Sequence, residues 1–517
     1  MGLVAIALVL SSMHYEGDVT AAGGDYVDVP FDVPVGTVEI QITHTDGSAD
    51  VILDWGVWEP GGRFRGWGGG NTEDAIIGVD ESSRSYLPGP IPAGTWTVSI
   101  GKALLDGAGT GHYSIDVTCS DTATLTPQAR AAFAPVVLST ERRWYKGDFH
   151  VHSVQSGDAN ASFAAIATLA KSRGLDFVNL SDHNTYSQHA LIAAAQPSYP
   201  DFLFLRGAEI TTYSGHGNSV GTHDYVDHRL GYNGRTVQGI VDDVAAQEGV
   251  FIVNHPVLDL GTQCIGCSWK HVDDTPWDKV SGMELITGNF EIGIQAFVPR
   301  VVTLWDQLEG ADHHIAVVGG SDDHRAGTDT GPTASKIGSP TTLVLADNLS
   351  EAAIVKAIRE GRTAVMLRNA EDPTIDLTIT RADGTAAEIG DEVQDLGEVH
   401  ATVHVVGTDP DGAPLIVQLW RDGEKIDQKP VTAADVKIAF RDTPGVQLRR
   451  YRAELINDLN QRLVVTSHIY VHGAAADEGC GCSTSTGRSD GLFVVGALLF
   501  VRRRAGRRSR ATAARPS

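Results

Sequence analysis

Five short apolar runs in the middle of this 517-residue chain each end on histidine or acid. They read Asp148-Phe149-His150-Val151-His152, Val178-Asn179-Leu180-Ser181-Asp182-His183, Arg206-Gly207-Ala208-Glu209, Phe251-Ile252-Val253-Asn254-His255-Pro256 and Val317-Val318-Gly319-Gly320-Ser321-Asp322-Asp323-His324. Each has the form of a strand that finishes by presenting metal ligands. Imidazole nitrogen and carboxylate oxygen are donors that Zn, Mn and Fe accept, and no cysteine is among them. Alternation in His150-Val151-His152 sends both imidazoles to one face of an extended strand, so one ion can take both. Unrelated core histidines are a poor alternative, because buried His and Asp need a partner or a metal to offset desolvation.

The segments between these runs have helical spacing. Phe163 to Lys171 places Ile166, Leu169 and Ala170 on one face, with Gly174 as a C′ residue. Val237, Ile240, Val241 and Val244 repeat the pattern before Gly249 and the strand Val250–Val253, and Ser350 caps a helix carrying Ile354, Val355 and Ile358. Strand–helix units of this size over residues 145–370 predict an α/β fold, a parallel βα barrel with its site at the strand carboxyl ends. Residues 14–125 alternate apolar and polar positions between Gly/Pro/Asp turns, which predicts a β sandwich or jelly roll. Residues 372–472 alternate again and predict a second β sandwich. Length alone suggests about three domains, at roughly 150 residues each. Trp55, Trp58 and Trp67 in the first part are core if buried. Exposed, they would offer a sugar-stacking surface and a carbohydrate partner.

The order His-x-His-Ser, Ser-Asp-His-Asn, Glu209, Asn-His-Pro, Gly-Ser-Asp-Asp-His resembles the polymerase and histidinol phosphatase (PHP) family of metallohydrolases, over about residues 145–370. Within it, the chain looks most like the branch of carbaryl-type ester hydrolases. The resemblance implies a distorted PHP-type barrel holding two or three divalent ions, Zn, Mn or Fe. His150 and His152 would share one ion with Glu209 and Asp322. Glu209 would bridge to a second, held also by His216 and His255, with His223 and His228 competing for the place of His216. Asp158, His183 and His324 would hold the third, although Ser156-Gly157-Asp158 departs from the usual Ser-Asp-Gly. Asp182 and Asp323 are expected to orient imidazole N–H groups. Arg325 and Arg206 are candidate clamps for an anionic substrate, and Arg325 is equally a surface salt-bridging group. His313 and His314 begin the strand that ends at Asp322 and so belong to the opposite end of the barrel.

Such ions lower the pKa of a bridging water toward ~7 and polarise a P=O or C=O group, so no serine or cysteine nucleophile is needed. Glu209, Asp322 and Arg325 are the residues expected to carry the chemistry. The substrate is a small-molecule ester: a phosphoric ester, as for the phosphatase members, or a carboxylic or carbamic ester or amide. A non-catalytic surface binding protein, with the barrel as scaffold, is the third reading. A formal net charge of −25 excludes a nucleic-acid binder, and no basic patch with interleaved aromatics offsets it.

The chain ends speak about location. Leu3 to Leu10 has the length of a signal-peptide apolar region, yet no Lys or Arg precedes it and the first in the chain is Arg63. Residues 1–13 therefore read either as a signal segment or as a buried first strand. In residues 477–517, Gly479-Cys480-Gly481-Cys482, an apolar run from Gly491 to Val501 and an arginine cluster resemble the tripartite C-terminal sorting signals of myxobacterial surface proteins. That resemblance implies export, cleavage near the cysteines by a sorting protease, and display at the cell surface or outer membrane. The eleven apolar residues are too few to span a bilayer unaided, which takes about 20. Cys264-Ile265-Gly266-Cys267 follows His255. A local disulfide is the expectation there, since no second Cys-x-x-Cys lies at zinc-site spacing.

Overall fold

The computed structural model describes residues 8–289, 296–329, 334–409 and 411–474. The sorting-signal motif after residue 474 lies outside them, as do residues 1–7.

The amino-terminal part consists of two four-stranded antiparallel sheets. One orders Val9–Thr20, Thr110–Ser120, Glu39–Thr45 and Ala75–Gly78, and the other Tyr26–Val33, Gly94–Leu104, Ile52–Trp58 and Phe64–Gly69. Their inward positions, among them Phe31, Ile40, Leu53, Trp55, Trp96 and Ile115, form one core. Trp55, Trp58 and Trp67 are only 2%, 7% and 2% exposed. They are packing residues, and the sugar-stacking surface they would have formed is not there. Val9 pairs with Ser120 and Met13 with Val117, so the first strand starts well inside the segment considered as a signal.

In the centre, nine strands position the site: β1 (Arg143–Val151), β2 (Phe177–Leu180), β3 (Leu203–Thr212), β4 (Gly215–Val220), β5 (Val250–Val253), β6 (Gly282–Thr287), β7 (Ala316–Gly320), β8 (Thr341–Ala346) and β9 (Thr363–Met366). Five helices accompany them: α1 (Phe163–Ser172), α2 (His189–Ala195), α3 (Val237–Ala246), α4 (Val298–Gly310) and α5 (Glu351–Arg359). Ser162, Thr236 and Ser350 cap α1, α3 and α5, each accepting from the backbone N–H three residues on. The sheet runs β7-β6-β5-β4-β3-β2-β1-β8-β9.

This sheet departs from the expected distorted parallel βα barrel. β4 is antiparallel to both β3 and β5, because the turn at Tyr213-Ser214 returns the chain directly instead of crossing over through a helix. β8 is antiparallel to β1 and β9. No closed barrel is present among the described residues. The ends of the β7-to-β1 path approach at a single parallel bridge, Val151 to Asp323.

The carboxyl-terminal part is not a separate layer either. β9 pairs with Arg462–Thr466, so the central sheet continues into strands Leu448–Asn457, Leu415–Arg421 and Glu424–Pro430. A four-stranded sheet (Ala386–Glu388, Thr374–Thr380, Val399–Val406, Asp435–Asp442) completes it around Leu377, Val403, Leu419 and Leu455. Shared backbone hydrogen bonds make the boundary near residue 371 a bend in the chain rather than a gap between domains. The described residues form one compact unit.

Candidate metal centre

Reversal at β4 is what completes the site. The carboxyl ends of β1, β2, β3, β5, β6 and β7 share one edge of the sheet. Because β4 runs the other way, its first residues return to that edge, and His216 pairs with Thr211 near the end of β3. His150 and His152 close β1, His183 follows β2, Glu209 lies in β3, His255 follows β5, and Asp322 and His324 follow β7. His255 and Asp322 have positive φ, 29° and 57°. Non-glycine residues held in that region cluster at functional sites.

Three overlapping donor groups result: His150, His152, Glu209 and Asp322; Glu209, His216 and His255; His152, Asp158, His183 and His324. In each group one ligand atom per residue lies within 4.8 Å of the others. Glu209 is the hinge, with Oε2 3.3 Å from His150 Nε2 and Oε1 3.3 Å from His216 Nδ1 and 3.4 Å from His255 Nε2. Asp322 Oδ1 stands 3.2 Å from His150 Nε2 and 3.1 Å from His152 Nε2. Asp158 Oδ2 lies 3.1 Å from His324 Nε2 and 3.3 Å from His183 Nε2.

The far ring nitrogens fix the tautomers. Backbone carbonyls only accept, so a nitrogen bonded to one carries the hydrogen and leaves a lone pair on the other. Cys267 O accepts from His255 Nδ1 at 2.8 Å, Ile265 O from His216 Nε2 at 3.0 Å, and Asp322 O from His324 Nδ1 at 2.9 Å. Glu284 Oε1 takes the same role for His150 Nδ1 at 2.9 Å. His150 Nε2 and both ring nitrogens of His152 are buried without a hydrogen bond of good geometry. Buried orphan nitrogens beside carboxylates fit a divalent cation, which would satisfy them.

The protonation pattern makes the same point. Burial and the neighbouring His324 and His183 push His152 down to about 3. Burial also acts against a charged His324, yet Asp158 prevails and raises it to about 9. Burial works against the charge of Glu209 too, but the His150 and His183 imidazoles hold it well below the usual carboxylate range. Glu209 and Asp158 draw in positive charge while His152 is kept neutral with its lone pair free, and divalent cations compete with protons for places beside the carboxylates.

Several expected partners are elsewhere. Asp182 does not orient an imidazole: its oxygens accept from Ser153 N at 2.6 Å and Ser153 Oγ at 2.7 Å, pinning the turn after His152. Asp323 likewise accepts backbone N–H groups, from Arg325 at 2.8 Å and Ile337 at 3.1 Å. Arg206 is no clamp, since Glu351 Oε1 holds its Nη2 at 2.6 Å and its guanidinium covers Phe133. Arg325 is half exposed and paired with Asp329 at 3.2 Å. His228 sits under Trp67. His313 pairs with Asp278 at 2.6 Å, and His314 stacks on Tyr470 at 3.9 Å.

Three residues escaped sequence reasoning: Glu284, Asn254 and Thr211. Glu284, fully buried, also accepts from His255 N at 2.9 Å and Thr287 Oγ1 at 2.6 Å. Its signal was present, as the sole charge in the apolar run Gly282–Thr287. Asn254 Nδ2 donates to Glu209 Oε1 at 2.9 Å, and Thr211 Oγ1 lies 2.6 Å from His183 Nδ1. The amino-terminal sheets brace the remaining ligand loop. Arg84 donates to Ala159 O at 2.7 Å and Ser85 to Gln155 O at 2.8 Å. A Cβ on Gly157 would drive into the Gly68 carbonyl, so glycine is what lets this loop approach.

No family model matches the sequence, and no curated protein does. Among solved structures, a two-domain protein from Bacteroides vulgatus containing a predicted PHP-like metal-dependent phosphoesterase is similar at 17% identity and a TM-score of 0.35, over 67% of this chain and 100% of that one. A candidate metal-dependent phosphoesterase from Bifidobacterium adolescentis is similar at 17% identity and a TM-score of 0.28, over 37% of this chain and 92% of that one.

Proposed function

We propose that this chain is a metal-dependent hydrolase of PHP type that cleaves phosphoric esters. The observation that carries the reading is the run of three donor groups sharing Glu209 and His152, with buried imidazole nitrogens that lack a well-formed hydrogen bond between the carboxylates. Bound there, divalent ions would acidify a water and polarise the ester. His150, His152, Glu209 and Asp322 would hold one ion, Glu209, His216 and His255 a second, and Asp158, His183 and His324 a third.

The protein's own part is preorganisation. Glu284, Ile265 O and Cys267 O hold imidazole lone pairs toward the pocket, and Asn254 steadies Glu209. Arg206 and Arg325 are committed to Glu351 and Asp329, so a dianionic substrate would find its countercharge in the ions. We further propose that the protein works outside the cytosol, where the Cys264–Cys267 disulfide would persist, and that a protease processes its tail.

The test is paired hydrolysis. Chain reconstituted separately with Zn²⁺ and Mn²⁺ is given p-nitrophenyl phosphate, bis(p-nitrophenyl) phosphate, p-nitrophenyl acetate and an aryl N-methylcarbamate. Phosphoester release that is abolished by chelator and by Glu209→Gln is the expected result. Faster carboxylester or carbamate turnover would move the assignment to that class. Tight metal with no turnover of any substrate would make the protein a binding module.

A further inference from the structure

We infer that the disulfide-closed loop Cys264-Ile265-Gly266-Cys267 is the positioning element of the His216/His255 metal position, whose affinity for a divalent ion depends on that disulfide. The inference rests on the metal reading above. Each imidazole of this donor group makes its orienting hydrogen bond to a carbonyl of the same four-residue loop: His216 Nε2 to Ile265 O at 3.0 Å, and His255 Nδ1 to Cys267 O at 2.8 Å. Both carbonyls face inward only while the loop keeps its tight path, and the disulfide across a Cα–Cα distance of 5.5 Å closes that path.

The loop is seated as well as closed. Gly266 has φ +80°, and a Cβ there would run into the Thr212 carbonyl and the Tyr213 backbone, the turn that leads into β4. Just beyond it, Trp269 N donates to Pro256 O at 3.0 Å and Lys270 N to Ser214 O at 2.9 Å. The loop therefore bridges the segment carrying His255 and the hairpin carrying His216. Other donors lean on different supports: His150 on Glu284, His183 on Thr211, and His324 on its own loop. Opening the disulfide should loosen one metal position and spare the rest. Outer hydrogen bonds to ligating imidazoles typically contribute about 10–100-fold in metal affinity.

A trialkylphosphine performs the opening. Phosphorus gives two electrons to the S–S bond, and water supplies both thiol protons and the oxygen of the phosphine oxide. The full chain, oxidised or reduced and then desalted anaerobically, is titrated with Co²⁺ by visible absorption against a competing chelator. Cys264→Ser/Cys267→Ser and Gly266→Ala, which disturbs the seat without touching sulfur, are titrated alongside. Expected is about a 10–100-fold weaker affinity for one equivalent in the reduced chain and in both variants. Its absorption band should return when the wild-type disulfide re-forms, and the other equivalents should be unchanged. Equal binding by oxidised and reduced chain overturns the inference while leaving the metal reading intact. A thiolate-to-cobalt band with undiminished affinity in the reduced chain also overturns it, since His216, Cys264 and Cys267 could together ligate an ion. No Co²⁺ bound in any state would instead refute the metal reading itself.

Discussion

Glu284→Gln is the substitution that most directly tests how this site is held. The carboxylate accepts from three donors at once: His150 Nδ1 at 2.9 Å on Oε1, and His255 N at 2.9 Å and Thr287 Oγ1 at 2.6 Å on Oε2. Glutamine has nearly the same shape but only one acceptor oxygen. If that oxygen faces His255 N and Thr287, the amide NH₂ meets His150 Nδ1. The imidazole must then move its proton to Nε2, the atom that faces Glu209 and Asp322. If the oxygen faces His150, the NH₂ meets the His255 backbone N–H and a buried donor is stranded. Either arrangement loses a charge-assisted hydrogen bond, about 1.5–3 kcal/mol. At about 1.4 kcal/mol per factor of ten, that is roughly 10–100-fold in affinity for one ion. Competition with a chelator, read by elemental analysis of dialysed protein, should show weaker binding at the position that His150 serves and, through the His255 backbone contact, at the His216/His255 position as well. The Asp158, His183 and His324 group does not touch Glu284 and should be unaffected. Melting of metal-free protein separates this from simple damage to the fold. If Glu284→Gln keeps every equivalent at wild-type affinity, the claim that the outer hydrogen bond fixes His150 is wrong.

Two other outcomes follow from the structure, and a third from the sequence of the tail. Burial raises Glu309 in α4 to about 8 from a reference near 4.5, despite donors at Ile315 N and Tyr470 Oη. Between those values the folded chain holds a proton the unfolded chain has lost, so stability should fall as pH rises from near 4.5 to 8 and level off above. The loss is at most on the order of 5 kcal/mol, and Glu309→Gln should flatten the slope in denaturant melts at stepped pH. Gly157→Val should push the Asp158 loop off Gly68 and lower occupancy of the His183/His324 position alone, measurable as lost metal per chain. Intact mass of surface-extracted protein should show a chain ending near Cys480 or Cys482, and a chain ending at Ser517 would make the tail a plain basic extension.

What could be read from the sequence, and what could not, divides along a physical line. The candidate ligands His150, His152, His183, Glu209, His255, Asp322 and His324 were legible because each is a polar residue set against an apolar strand, where packing alone seldom puts one, whereas Asp158 and His216 came only from the family resemblance. The helix cap at Ser350 was equally local. What stayed hidden is where the backbone goes next. Tyr213-Ser214 between two glycine-flanked strands gives no sign whether the chain reverses or crosses over, yet that turn makes β4 antiparallel and returns His216 to the site. Asp182 and Asp323 sit beside ligands in sequence, but neighbours in a chain leaving a strand point apart. They bind backbone N–H groups while a distant Glu284 reaches His150. Pairing of β9 with Arg462–Thr466 spans about a hundred residues and has no local signature.

The split also says which parts of the site tolerate change. A ligand is specified by one residue type, whereas its orientation is specified by packing that many sequences could supply. His216 and His255 depend on two carbonyls that any residue could provide, and it is the path of the Cys264–Cys267 loop, not its side-chain chemistry, that brings those carbonyls to them. His150 depends instead on a carboxylate that only a buried acid can supply. Opening the loop should therefore reach the His216/His255 position alone, whereas removing the Glu284 charge reaches His150 and, through His255 N, that position too.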